Sequence, residues 1–272
     1  MFTFYTFCFL AKLAGIILFS ISLISAVGIY LDKGNKVKDS TQNSSKELVT
    51  WGSNLASGVS NKRMTSELSK MYDNIPYPVI SIIHGLLLSD AWLTFSSKAS
   101  KNARLGFSQS LAKFAYLWSV FNSLSPYCGS YPMLRIRTRK GSKNVSLEFF
   151  TRSLPFFTNL YSEYYVSLPK GIVKSIPKNL FNILDPIALA HWICGDGSPR
   201  VSGGLVLCTD SYTLQEVVRL ISVLIYRYQL ECSVHTSNPG QYRIYIHKAS
   251  MNSLRNIVSQ HMVPSMLYKL HL

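Results

Sequence analysis

The chain has 272 residues, 47% of them hydrophobic and 12% aromatic, enough for one large packed domain or two small ones. Lys and Arg outnumber Asp and Glu by 28 to 13, a net charge of +15, which points to nucleic acid or an anionic membrane surface as partner. The five cysteines are scattered, with no C-x-x-C and no Cys/His spacing of zinc type. That argues against structural zinc and against a disulfide framework, and for reduced thiols in an intracellular compartment.

In chain order, the first segment is residues 1–31. From Leu13 to Leu31 no residue is charged, and Lys12 and Asp32 bracket the run. That length suffices for a helix that spans or inserts into a membrane, and it is long for a secretory signal peptide, the rival reading. Residues 32–75 are polar, rich in Ser and Asn and without periodicity, the composition of a linker. The folded part is therefore expected to begin near Asn74. Within 76–272, twenty Lys and Arg stand against eight acids, a net of +12, so the basic surplus belongs to the folded part and favours nucleic acid over membrane.

The next elements form a series. Pro76 and Pro78 open an apolar helix that runs through "IHGLLLSD" to Asp90. A polar turn, an extended segment "ARLGFSQS" and an amphipathic helix "AKFAYLWSVFNSL" follow. Then comes "MLRIRTRKGSKNVSLEF", in which Arg135, Arg137 and Arg139 alternate with Ile136 and Thr138. Period two puts the three arginines on one face of a strand, and Lys140 to Lys143 make the turn of a two-stranded ribbon. Such a ribbon fits the DNA major groove, where arginine reads guanine bidentately. Gln109, with Ser108 and Ser110, is a further candidate contact. A helix "LPFFTNLYSEYY" and the tail "KSIPKNL" complete the series.

It then repeats. Asp185 caps and Pro186 starts a second apolar helix, "LAHWICGD", ending at Asp196, 106 residues after Asp90. "GGLVLCTDS", the helix "LQEVVRLISVLIYRY", the strands "LECSVHTS" and "QYRIYIHKAS", the helix "MNSLRNIVSQHM" and the tail "VPSMLYKL" follow in the same order. Arg243 and Tyr245 share the polar face of the second ribbon, and Thr209, Asp210 and Ser211 are its further polar candidates. An αββαββα unit occurring twice says more than either helix alone.

Residues 83–91, "IHGLLLSDA", and 189–197, "LAHWICGDG", resemble the nine-letter motif of the single-chain LAGLIDADG homing endonucleases, most of all the subfamily encoded in mitochondrial group I introns. The resemblance covers about 76–272. It implies an α+β fold: a duplicated αββαββα pseudo-dimer with two saddle-shaped antiparallel sheets, preceded here by an N-terminal hydrophobic helix. The organisation that follows is a hydrophobic segment 1–31, a linker 32–75, a first repeat 76–180 and a second repeat 181–272. In the family the two motif helices pack side by side with their final Asp residues at the base of the interface. Close packing needs small residues about four apart, which Gly85 and Ser89 supply in one helix, and Ala190 and Cys194, with Gly195, in the other. Asp90 and Asp196 would then share a site and repel, and a divalent cation relieves the repulsion; oxygen ligands with phosphate suit Mg²⁺. The resemblance also places Lys174, in "KSIP", and Lys269, in "LYKL", at the active sites as catalytic helpers. Departures from the motif are Ala91 in place of its last Gly, and His191 where the family often has Gly.

The function implied is Mg²⁺-dependent double-strand cleavage of a long asymmetric DNA target, promoting mobility of the chain's own intron. A single chain forming its own pseudo-dimer needs no homodimer. The alternative is an RNA-binding maturase that assists a group I intron on the same fold. Retention of both acids favours cleavage. The mitochondrion is the expected compartment, and residues 1–31 read as a remnant of an upstream exon, removed or left as an inner-membrane anchor.

Overall fold

The computed structural model describes residues 75–139, 142–169 and 171–272. The expected membrane segment, the expected linker up to residue 74, and Lys140 lie outside the described residues. No helix among the described residues is long and apolar enough to cross a membrane.

The first motif segment is helix α1 (Tyr77–Leu88), opened by Pro76 and Pro78. The second is α5 (Pro186–Asp196), whose cap Asp185 accepts a hydrogen bond from the Ala188 amide at 2.8 Å. Ser81 of α1 donates to the same carboxylate at 2.5 Å, tying the cap of one motif helix to the flank of the other. Burial runs unbroken over Ile83–Leu88 and over Ala188–Cys194, rather than as a stripe. Helices apolar all round belong in the middle of a fold, and these two pack against each other there.

Between α1 and α5 come β1 (Trp92–Phe95), β2 (Ala103–Ser110), α2 (Phe114–Leu124), β3 (Met133–Arg139), β4 (Ser142–Phe150) and α3 (Pro155–Tyr164). A hairpin, β5 (Tyr165–Leu168) and β6 (Gly171–Lys174), and a single turn α4 (Leu180–Ile183) lead to α5. After α5 follow β7 (Gly197–Pro199), β8 (Leu205–Leu207), α6 (Leu214–Tyr228), β9 (Cys232–Asn238), β10 (Gln241–Ile246) and α7 (Met251–Val258). The sheets have the orders β1-β2-β4-β3 and β7-β8-β10-β9, and every pairing is antiparallel. Equal order in both copies gives the α+β pseudo-dimer that the repeat implies.

Two short strands and a hairpin escaped the sequence reading. β7 starts directly after Asp196 and β1 follows Asp90 with only Ala91 between, where a polar turn was expected; in the first copy the turn comes later, over 96–102. The β5–β6 hairpin occupies the stretch before "KSIP", and its last residue, Lys174, pairs with Tyr165. α6 starts at a full capping box, the Thr213 hydroxyl and the Glu216 carboxylate each taking the other's backbone amide.

Candidate active site

Two glycines set the distance between the motif helices. A Cβ on Gly85 would collide with the carbonyl oxygen of Ala188 and stand 2.7 Å from Cβ of His191. A Cβ on Gly195 would stand 2.5 Å from Cβ of Ser89 and 3.2 Å from Oδ2 of Asp90. Gly85 and Ser89 therefore serve as expected on α1. On α5 the contact line is Ala188, His191 and Gly195 rather than Ala190 and Cys194, which are buried in the core elsewhere on the helix. His191 meets Gly85 with its Cβ. Its ring lies beside buried Tyr116, whose hydroxyl is 3.4 Å from Nδ1. His84 is placed likewise, with Nδ1 2.9 Å from the Tyr164 hydroxyl. Burial lowers both imidazoles to about 4, so they are neutral packing residues of the helix pair.

Crossing this closely, the helices deliver Asp90 and Asp196 to one place. Burial, then the Asp90 charge, pushes Asp196 up to about 7, against the pull of Lys174, Lys269 and Lys113. Asp90 accepts a hydrogen bond from Nε2 of Gln109 at 2.5 Å. Among the described residues none donates a hydrogen bond to the Asp196 carboxylate. The two halves of the site are thus unequal, because Thr209, buried in the corresponding stretch after β8, turns its hydroxyl to the Tyr242 carbonyl at 2.6 Å.

Each copy closes on its own motif helix through a lysine. Nζ of Lys174 donates to the carbonyls of Ser89 (3.3 Å) and Ala91 (2.8 Å) at the end of α1. Nζ of Lys269 donates to Ile193 (3.2 Å), Cys194 (2.6 Å) and Gly195 (3.0 Å) at the end of α5. A cation there adds hydrogen bonds to carbonyls at the helix end, of which Ile193 also accepts from the Gly197 amide, and complements the helix's negative end. Burial lowers both ammonium groups to about 8; the two aspartates partly offset this, and Lys113 adds to it at Lys269. Tyr212 also donates to the Leu88 carbonyl, at 3.2 Å.

Register sorts the remaining candidates. Arg135, Arg137 and Arg139 pair with Ser146, Asn144 and Ser142, so their positions share one face of the first sheet with Ser108, Ser110 and Glu148. Arg135 and Arg137 are exposed. Two expected contacts do not lie on that face. Gln109 follows Leu105 and Phe107 to the core side, 7% exposed, where it meets Asp90 instead of solvent. Lys143 pairs with Thr138 and sits on the opposite face of the ribbon from the arginines. In the second sheet Arg243 and Tyr245 pair with His235 and Ser233 on one face. Tyr245 stacks on His235 and leans on His247, with centroids 4.9 and 5.2 Å apart. Asp210 pairs with Arg243 and Ser211 is exposed, while Thr209 is buried.

Sequence reasoning missed Gln109 as a partner of Asp90, Tyr212 as a helix cap, and Lys113 as a third cation near Asp196. The alternation Leu105, Phe107, Gln109 in "ARLGFSQS" carried the signal for the first. For Lys113, on a short helical turn before α2, no local pattern gave one.

A group of three or more His, Cys, Asp or Glu side chains able to hold a metal is absent among the described residues. Two carboxylates are what the site itself can offer a cation. That donor set suits a hard ion that keeps water and takes its other oxygens from phosphate.

Residues 80–254 match the LAGLIDADG DNA endonuclease family. The chain is 34% identical over 200 residues to a Saccharomyces cerevisiae protein named cytochrome b mRNA maturase bI2, covering 71% of this chain and 47% of that one. The protein of the same name from Debaryomyces hansenii is 30% identical over 197 residues, covering 71% and 73%. The intron-encoded endonuclease ai4 of Dictyostelium discoideum is 36% identical over 124 residues, 45% and 76% of the two chains. The chain thus spans about half the length of the S. cerevisiae relative. Among solved structures, the homing endonuclease I-WcaI bound to its DNA recognition sequence superposes with a TM-score of 0.69 at 24% identity, over 77% of this chain and 93% of that one, which shows the shared fold. With a family match across most of the duplicated unit and both motif helices bearing their aspartates side by side, the chain belongs to the LAGLIDADG DNA endonuclease family.

Proposed function

We propose that the chain is a site-specific homing endonuclease that hydrolyses both strands of a long, asymmetric DNA target. One observation carries the reading: two close-packed helices end in Asp90 and Asp196, and Asp196 bears the cost of partial burial beside a like charge. A fold that serves only as a binding surface has no use for that arrangement. Mg²⁺ held by Asp90 and Asp196 would supply Lewis acidity toward the scissile phosphates and the attacking water. Gln109 holds the Asp90 carboxylate in place. Lys174 and Lys269, fixed on the helix-end carbonyls, keep positive charge where the phosphates build negative charge. The open faces of the two sheets carry the arginines toward the duplex, Arg135 and Arg137 at one end and Arg243 with Tyr245 at the other. The differing copies make the target asymmetric and a homodimer unnecessary.

A second reading, an RNA-binding maturase, is favoured by the names of the S. cerevisiae and D. hansenii relatives. The same names support the mitochondrion as the compartment. The test is to incubate the full chain with Mg²⁺ and a randomised duplex library, beside Asp90→Asn and Asp196→Asn. Double-strand breaks at a shared sequence, reduced to nicks or lost in the variants, are expected. Absence of cutting, together with tight binding of the group I intron RNA that carries its reading frame, would replace the endonuclease by the maturase.

A further inference from the structure

Acids are scarce in the folded part, yet two stand on the sheet faces that the reading above turns toward DNA, where a phosphate backbone disfavours carboxylates. Glu148 lies on β4, 3% exposed, and accepts from Nε of Arg135 at 3.0 Å and Nη2 of Arg137 at 3.4 Å. Asp210, just after β8, accepts from Nε of Arg243 at 2.9 Å and Nη2 at 2.7 Å, with the Ser237 hydroxyl at 2.9 Å. The two acids come from different places in the repeat, a strand in one copy and a turn in the other. Duplication alone therefore does not account for both.

The Arg243–Asp210 pair, 32% and 30% accessible, contributes little to stability, and the Arg135 and Arg137 side chains that reach buried Glu148 are themselves 48% and 73% accessible. What a carboxylate on Nε does is fix the guanidinium plane. A free arginine must surrender much rotamer freedom to form two parallel hydrogen bonds. Held at Nε, Arg135 keeps both terminal nitrogens for a base; Arg243, held at Nε and Nη2, keeps Nη1 and the second N–H of Nη2, and in either case that end edge can pair with O6 and N7 of guanine. Each carboxylate also cancels charge that would otherwise attract any phosphate, lowering sequence-independent affinity.

We propose that Glu148 and Asp210 are positioning residues for base-reading arginines, one at each end of the target, exchanging general affinity for sequence discrimination. This rests on the DNA reading of the sheet faces.

The test is selection of bound duplexes from a randomised DNA library by the full chain in EDTA, with the salt dependence of binding measured on the selected sequence. Wild type should recover an asymmetric motif. Glu148→Gln should weaken guanine preference about tenfold or more at one end only, and Asp210→Asn at the other end only. Each variant should also steepen the plot of log affinity against log salt, by about 0.9 for each charge set free. Base preference unchanged in both variants, or uniform weakening with the motif intact, would overturn the proposal. If Glu148→Gln fails to melt cooperatively, Asp210→Asn, at a half-exposed pair, decides alone. A wild type that selects no motif would sink the DNA reading itself, a result distinct from the other two.

Discussion

Gly85→Ala tests whether glycine-limited contact sets the site. In an ordinary helix interior this change gains about 1 kcal/mol of helix propensity. Here the new methyl would meet the Ala188 carbonyl oxygen and stand 2.7 Å from Cβ of His191, about 1 Å inside ordinary carbon contact. Both are parts of α5 that cannot swing aside, so the helices must separate. Overpacking of this kind costs about 1–3 kcal/mol, and more against backbone, which outweighs the propensity gain. A net loss of about 1–2 kcal/mol lowers Tm by roughly 3–6 °C in a folded part of this size. Because Asp90 lies five residues further along, the same displacement parts the carboxylates, and misplacement by about 1 Å costs on the order of 100-fold in rate. Thermal unfolding and cleavage of a selected duplex measure both effects. Gly195→Ala strains the same pair of helices, so the double variant should lose less stability than the sum of the singles. A Gly85→Ala protein that melts at or above wild type would refute the close-packing account.

Two further outcomes follow from the site's charges. Asp196 has a folded pKa of about 7, above its ordinary 3.8, so the fold holds a proton that the unfolded chain has released; this contribution is complete below pH 3.8 and is lost as pH rises through 7. In EDTA, Asp196→Asn should therefore melt with wild type near pH 4 and above it at pH 8, by on the order of 2 kcal/mol after allowance for partial exposure; a difference independent of pH would contradict this. Lys269→Met strips hydrogen bonds from three carbonyls and Lys174→Met from two, so Lys269→Met should be the less stable by roughly 1 kcal/mol or more in urea unfolding, and the reverse order would show that relief of the buried charge dominates.

The duplicated architecture was legible because each copy repeats the same order of periodicities, and the arginine alternation in "MLRIRTR" gave the ribbon and its face. What the sequence hid was hidden by length or by sidedness. β1 and β7 have four and three residues, too short for alternation to stand out, and burial of their partners defines them. The β5–β6 hairpin has Pro169 directly after β5, a weak strand signal, yet it carries Lys174 to the end of α1. Gln109 was misplaced through its chemistry: a polar residue between two serines reads as surface, although parity with Phe107 assigns it to the core side. On α5 the expected Gly195 lies at the helix contact, but Ala190 and Cys194 do not, because spacing between small residues cannot say which of several faces the partner; the neighbours of Gly85 show that Ala188 and His191 do.

The copies are alike where the fold needs two-fold order and unlike where chemistry and recognition are at stake. Strand order and the lysine on each motif helix end recur. By contrast, Asp90 has Gln109 while the counterpart position near Asp196 holds Thr209, bound to a carbonyl. One copy offers a row of arginines held by Glu148, the other an arginine held by Asp210 beside a Tyr245–histidine stack. An enzyme reading a palindrome would be best served by equal halves. Divergence in the carboxylate surroundings and on the open sheet faces is what the proposed target, an asymmetric duplex cut once on each strand, would select for.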